Sequence, residues 1–350
     1  MTPTPSPDPT PVPPSETAPA TPPPPAATGG PTAGAVAGVP WTGVVEHLFW
    51  HPVLADPQIA FSGSQALGFD DWMCTVSEYT KMLQSIYDNG YILVHFSDVY
   101  TTSGPVQRKD LLLPEGKKPL IISYDDVNYY DYMRQNGIVW KLIIGANGEI
   151  WDYGKDPQGN DRITQSLDVV TILDQFVKLH PDFSYNGAKG TLNLTGYEGI
   201  LGYRTQAGSP NRDSEIAAVA PIVAKLKATG WDFASHTWGH YTVGKAGLDH
   251  IQTDADRWAS EVGSLVGPTD ILVYPFGSPA ASAAAKKILT DHGFRIFCGV
   301  GVNPFTRFDP DGTLFMDRMH PDGTSLRHQR DTYLRFYDAN LVFDPIRPTR

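Results

Sequence analysis

Cysteine is nearly missing from this 350-residue chain, with Cys74 and Cys298 its only two. They are too few for a disulfide framework and lack the Cys-x-x-Cys spacing of a metal or redox site, so each reads as a small core residue or half of one optional bridge. No run of about eighteen apolar residues occurs, which leaves out a membrane-spanning helix. There is also no stripe of Lys and Arg interleaved with aromatics. The formal net charge of −11 repels phosphate backbones, so nucleic acid is not an expected partner.

What the chain does have is 41% hydrophobic residues, a globular composition, in a length that one α/β barrel can use to bury a sizeable core. Residues 1–40 depart from this. They consist mainly of Pro, Thr, Ala and Ser, cannot build a core, and read as a disordered linker ahead of a single domain over 41–350. Met1 runs straight into the linker without a basic and apolar leader, so export implies a targeting segment upstream.

From Trp41 onward, short apolar strands alternate with amphipathic helices, the pattern of an α/β protein. Strands are expected at 44–50, 91–95, 119–124, 190–194, 231–235, 271–274, 296–300 and 314–319. Helices are expected at 76–89, 167–180, 214–230, 253–265 and 280–293, several of them ending in Gly. Between Leu142 and Asp161, two turn signals, Asn147-Gly148 and Gly159-Asn160, mark an inserted hairpin within an insertion at about 141–200. It reads as a groove rim or as surface decoration.

Four features carry chemistry. The apolar run from Lys118 to Tyr124 ends in Asp125 and Asp126, at the strand edge where α/β folds gather ligands. Two adjacent carboxylates repel unless a cation or a shifted pKa relieves them. Alone, such a pair is more often a cap or turn. A second run, Trp231 to Ser235, leads into His236 and His240. Their i, i+4 spacing on a helical turn would bring both imidazoles to one ion. Taken with the Asp pair, metal is the favoured reading.

Two His and one carboxylate leave an open position, as in catalytic zinc sites. The same set also suits non-haem iron. The His pair lacks the Glu of a His-Glu-x-x-His protease helix, so a base must come from elsewhere, and Asp125 stands beside the proposed ligand. The third feature, Tyr274-Pro275-Phe276-Gly277, is either an ordinary turn or a loop whose N–H groups face an oxyanion. The fourth, His320 after Met319, is by itself more often a surface histidine.

In order and spacing, these motifs resemble the NodB-homology polysaccharide deacetylases, the fourth carbohydrate esterase family, over most of 41–322. Asp125-Asp126 is similar to the family's Asp pair, His236-Thr237-x-x-His240 to its His-Ser/Thr-x-x-His motif, and Tyr274 to Gly277 to its aromatic-Pro loop. The resemblance implies a distorted (β/α) barrel and a hydrolase that removes acetyl groups from N-acetyl sugars with a divalent metal, often zinc. It implies Asp125 as base, Asp126, His236 and His240 as metal ligands, Thr237 as support for the metal loop, Phe276 as an oxyanion donor through its backbone, and His320 as general acid.

The chain departs from the family in three places. Val127 stands where Gly usually follows the Asp pair, which alters the loop's access to unusual dihedrals. Val273 stands where an Arg usually orients the base, so that partner must be another residue or be absent. His320 matches its motif only loosely, with Arg318 an equally visible polar neighbour. His51, after the first strand, reads as a packing or orienting residue, and Trp238 and Tyr274 as core aromatics or sugar-stacking rings. The expected protein is a secreted or cell-surface deacetylase, attached through its linker to the wall or a lipid anchor, with peptidoglycan the favoured glycan. The alternative is a catalytically impaired surface protein that binds glycan.

Overall fold

The computed structural model describes residues 38–349. The linker expected at 1–40 lies outside the described residues except for its last three. Eight parallel strands build the barrel: β1 (Glu46–Trp50), β2 (Tyr91–Leu93), β3 (Lys118–Asp125), β4 (Thr191–Leu194), β5 (Asp232–Ser235), β6 (Ile271–Val273), β7 (Ile296–Val300) and β8 (Leu314–Arg318); a ninth strand of the same sheet, Thr306–Phe308, pairs antiparallel with β8. Each of the eight falls within three residues of an apolar run in the sequence. Long helices at Val76–Asp88, Val169–Leu179, Arg212–Ala228, Leu248–Trp258 and Ala283–Asp291 alternate with them. The fourth continues through a π-turn at Ala259–Gly263.

The path runs β1-β3-β4-β5-β6-β7-β8 with every pairing parallel. One side of β3 pairs with β1. Its other side is divided between β2 near Lys118–Leu120 and β4 near Ser123–Asp125. The sheet curls until its two edges meet: Phe49 N–H donates to Met319 O at 3.0 Å, and Met319 N–H donates to His47 O at 2.9 Å. This is the expected distorted (β/α) barrel. Because the strands are parallel, all their C-terminal ends lie on one rim, where the loops converge.

Period-two alternation along the strands creates two cores. Leu120, Ile122 and Tyr124 of β3 pack outward with Leu192, Leu194 and Phe297 against helix residues such as Met82, Val219 and Ile251. Ile121 points the other way, into a lumen shared with Ala234, Val273, Cys298, Leu314 and Met316. Near the rim the lumen turns polar, and Ser123, Asp125, Asn193, His236 and Arg318 are all buried. Cys74 and Cys298 are buried free thiols in the two different cores.

The expected hairpin is present and carries a third strand. Lys141–Ile144, Ile150–Lys155 and Asp161–Thr164 form a separate antiparallel sheet with turns at both expected positions. The rest of the 141–200 stretch supplies the helix Val169–Leu179 and β4, which belong to the barrel. No helix among the described residues is long and apolar enough to cross a membrane.

Candidate functional site

Asp125 is the last residue of β3 and 3% exposed. Its Oδ1 accepts from Asn193 Nδ2 at 2.6 Å and from Arg318 Nη1 at 2.6 Å, and its Oδ2 accepts from Arg318 Nη2 at 2.9 Å. Burial alone would raise this carboxyl's pKa. The Arg318 guanidinium and then His236 override it and hold Asp125 well below the usual carboxylate range. Arg318 is fully buried, donates through Nε to Gly299 O, and lies 3.9 Å from the centre of the Phe49 ring. It comes from β8 and reaches past β1 to β3, a path that exists only because the barrel closes between β8 and β1. The guanidinium partner absent at Val273 is therefore supplied from a different strand, and Arg318 is committed to Asp125.

Asp126 follows in left-handed backbone at φ 62°. The loop makes that turn at Asp126 itself and again at Tyr129, while Val127 is a buried core residue that needs no glycine-like freedom. Asp126 Oδ1 accepts from Tyr130 Oη at 2.7 Å, and Tyr130 Oη also contacts Thr195 Oγ1 at 2.6 Å. Asp126 Oδ2 is left facing His240 Nε2 at 3.7 Å and His51 Nε2 at 3.9 Å.

His236 and His240 come together, with ring centres 4.9 Å apart, but not on the helical turn that their spacing suggested. The segment is a bent loop with Thr237 at φ 60° and His240 at φ 48°. Asp254, on the Leu248–Trp258 helix, holds the bend by accepting from Trp238 N–H at 2.8 Å and Gly239 N–H at 2.7 Å. His236 Nδ1 lies 2.9 Å from Val273 O. A carbonyl only accepts, so Nδ1 carries the proton and Nε2 keeps its lone pair toward the cleft. Burial, the largest effect, lowers the His236 pKa despite both nearby carboxylates, which favours the neutral ligand form.

The donor atoms of Asp126, His236 and His240 all lie within 4.8 Å of one another. Two imidazoles and a carboxylate, with the second polar atoms of Asp126 and His236 already hydrogen-bonded, fit a divalent cation with an open position. Thr237 Oγ1 beside them is buried without a protein partner. Four left-handed non-glycine residues (Asp126, Thr237, His240 and Phe276) gather here, and such strain concentrates at functional sites.

The remaining expected residues reach the same cleft, which has a volume of about 840 Å³ and includes Phe276, Arg318, His320 and His51 in its lining. His320 Nδ1 is 3.0 Å from Asp322 Oδ2, and its Nε2 is 3.1 Å from His51 Nδ1. Burial lowers the His51 pKa to about 4, with His320 adding to the effect. Phe276 sits in a tight turn after β6 with its ring 4.7 Å from that of His240. Of the two candidate sugar-stacking rings, Tyr274 is buried against Phe297, and Trp238 lies under the Arg257 guanidinium at 3.2 Å. Both are packing residues. Sequence reasoning missed Asn193, Tyr130, Asp254 and Asp322, whose roles follow from contacts between elements far apart in the chain.

No family model and no curated protein matches the chain. Among solved structures it is similar to the deacetylase PplD of Streptococcus pyogenes, described in complex with acetate, at 15% identity over 82% of this chain and 94% of that one, with a TM-score of 0.47. It is also similar to IcaB from Ammonifex degensii at 13% identity over 81% and 93%, TM-score 0.45. The deacetylase domain of BpsB from Bordetella bronchiseptica matches at 12% identity over 79% and 97%, TM-score 0.41.

Proposed function

We propose that this protein is a metal-dependent hydrolase that removes acetyl groups from N-acetylated polysaccharide outside the cell or at its surface. One observation carries the reading: three donor atoms within 4.8 Å stand beside a second carboxylate, Asp125, which keeps one oxygen turned toward the same space. A divalent cation held by Asp126, His236 and His240, for which zinc is well suited, supplies Lewis acidity toward water and a carbonyl oxygen.

The chain's own groups do the rest. Asp125 Oδ2, 3.7 Å from His236 Nε2, takes a proton from water as the water oxygen attacks the amide carbon. Arg318 and Asn193 fix the orientation of that carboxylate. The Phe276 backbone N–H donates to the carbonyl oxygen as charge develops there. His320, anchored through Nδ1 by Asp322, gives a proton from Nε2 to the nitrogen as the C–N bond breaks, leaving acetate and a free amine. The candidate polymers are wall peptidoglycan, toward which the Pro- and Thr-rich segment points, and an uncharged N-acetylglucosamine chain.

Incubating zinc-loaded protein with N-acetylglucosamine oligomers or peptidoglycan should release acetate, and iron substitution should not improve the rate. Asp125→Asn should cut release by about 10²–10⁴-fold with metal content unchanged. If no acetate comes from any N- or O-acetylated glycan, the hydrolase reading fails. Glycan retention without release would then favour a binding protein.

A further inference from the structure

Two large apolar rings stand in solvent at the cleft. Trp72, the last residue of the short helix Ala66–Trp72, is 55% exposed, and Phe276 is 69% exposed. Tyr132, in ring contact with Phe69 at 6.1 Å, adds a third at 38%. Exposed aromatics grouped at a cleft mark a binding surface, since burying them against a ligand removes apolar area from water. A pyranose ring offers a face of C–H bonds that covers such a ring while its hydroxyls stay wet.

Charge restricts what that sugar can carry. Among the described residues lining the cleft, Arg318 is the sole Lys or Arg. It is fully buried, with both terminal nitrogens on Asp125. Apart from the proposed metal, which is taken up by the acetyl group, no Lys or Arg is left there to meet a carboxylate on the glycan, and the protein as a whole carries a formal charge of −11. A carboxylate-bearing sugar would be desolvated against this surface without a partner and would approach against the field.

We infer that the cleft selects an uncharged N-acetylated glycan, held by stacking on Trp72 and Phe276 and not by ionic contacts. This rests on the hydrolase reading and narrows it, away from glycan strands whose alternate sugars carry a lactyl carboxylate. Trp72 is outside the proposed catalytic set, so it can be changed without touching the chemistry.

The test compares zinc-loaded protein on N-acetylglucosamine tetramer and on peptide-free peptidoglycan strands. The tetramer is expected to have a kcat/KM higher by about tenfold or more, with the gap widening at low ionic strength. Trp72→Ala should raise KM for the tetramer about tenfold and leave kcat in place, and Trp72→Lys should narrow the gap between the two glycans. Equal or better turnover of the carboxylated strands, or an unchanged KM in Trp72→Ala, overturns the inference. If neither glycan yields acetate, the hydrolase reading falls, and fluorescence titration of Asp125→Asn with the tetramer decides this inference alone. Binding that Trp72→Ala abolishes upholds it, and no binding overturns it.

Discussion

Strand β5 carries the same chemical pair at both of its ends, with opposite results. At its start, Asp232 meets His95 Nδ1 at 2.7 Å, and the carboxylate is 42% exposed at its side chain. Burial pulls the His95 pKa down, but the hydrogen bond and charge of Asp232 outweigh it, so the imidazole titrates above its ordinary value. Just past the strand's end, His236 faces Asp125 at 3.7 Å with both side chains almost fully buried, and its pKa is lowered. Arg318 has already taken the Asp125 charge there. A histidine next to an aspartate thus has its pKa raised at one end of the barrel and lowered at the other, decided by burial and by what else the carboxylate holds.

The largest break in this contrast is His236→Ala. It should remove metal binding to a greater extent than the roughly 10–100-fold that loss of an outer hydrogen bond costs, as measured by metal content after dialysis. Asp232→Asn at the other end should leave metal content unchanged. Next in size is Arg318→Met, which strands a buried carboxylate and should destabilise the protein by about 3–5 kcal/mol in urea unfolding. Adding Asp125→Leu to it should recover most of that loss, because neither charge is then left unpaired.

The smallest effects are in the pH dependence of the metal-free protein. The folded pKa of His51 is lowered to about 4, below its unfolded value near 6.5. Its contribution is therefore present above 6.5 and is lost as pH falls toward 4, on the order of 3 kcal/mol. The folded value of His95 is raised. Its contribution is present below 6.5 and is lost as pH rises through that raised value, at about 0.2–1 kcal/mol for a half-exposed pair. Urea midpoints of His51→Gln and Asp232→Asn at pH 4, 6 and 8 should flatten opposite limbs of the wild-type profile. If both variants flatten the same limb, the contrast between the two ends is wrong.

Much of the barrel was legible because each strand is an apolar run bounded by polar or turn residues, and the long helices lie between such runs. The short helix carrying Trp72 was not. Seven residues of mixed polarity, Ala66–Trp72, have no period long enough to register. At the site, Asp126, His236 and His240 could be named from residue type and position at strand ends. The backbone that joins the two imidazoles could not, since the i, i+4 spacing is met equally by a helical turn and by a left-handed bend that Asp254 holds from another element. The partner of Asp125 was sought at Val273 because family spacing puts it there, and it came from β8.

By itself, the sequence determined the set of strands, the α/β class and the residue types available at the strand ends, because alternating burial and apolar runs are local signals. Which of those residues meet was decided by the tertiary structure alone. Arg318 and Asp125 are 193 residues apart, and they pair because the sheet curls until Met319 reaches β1. The same closure buries the pair, lowers the His236 pKa and leaves Trp72 exposed at the cleft. Burial and long-range pairing are properties of the closed barrel, so no window of sequence contains them.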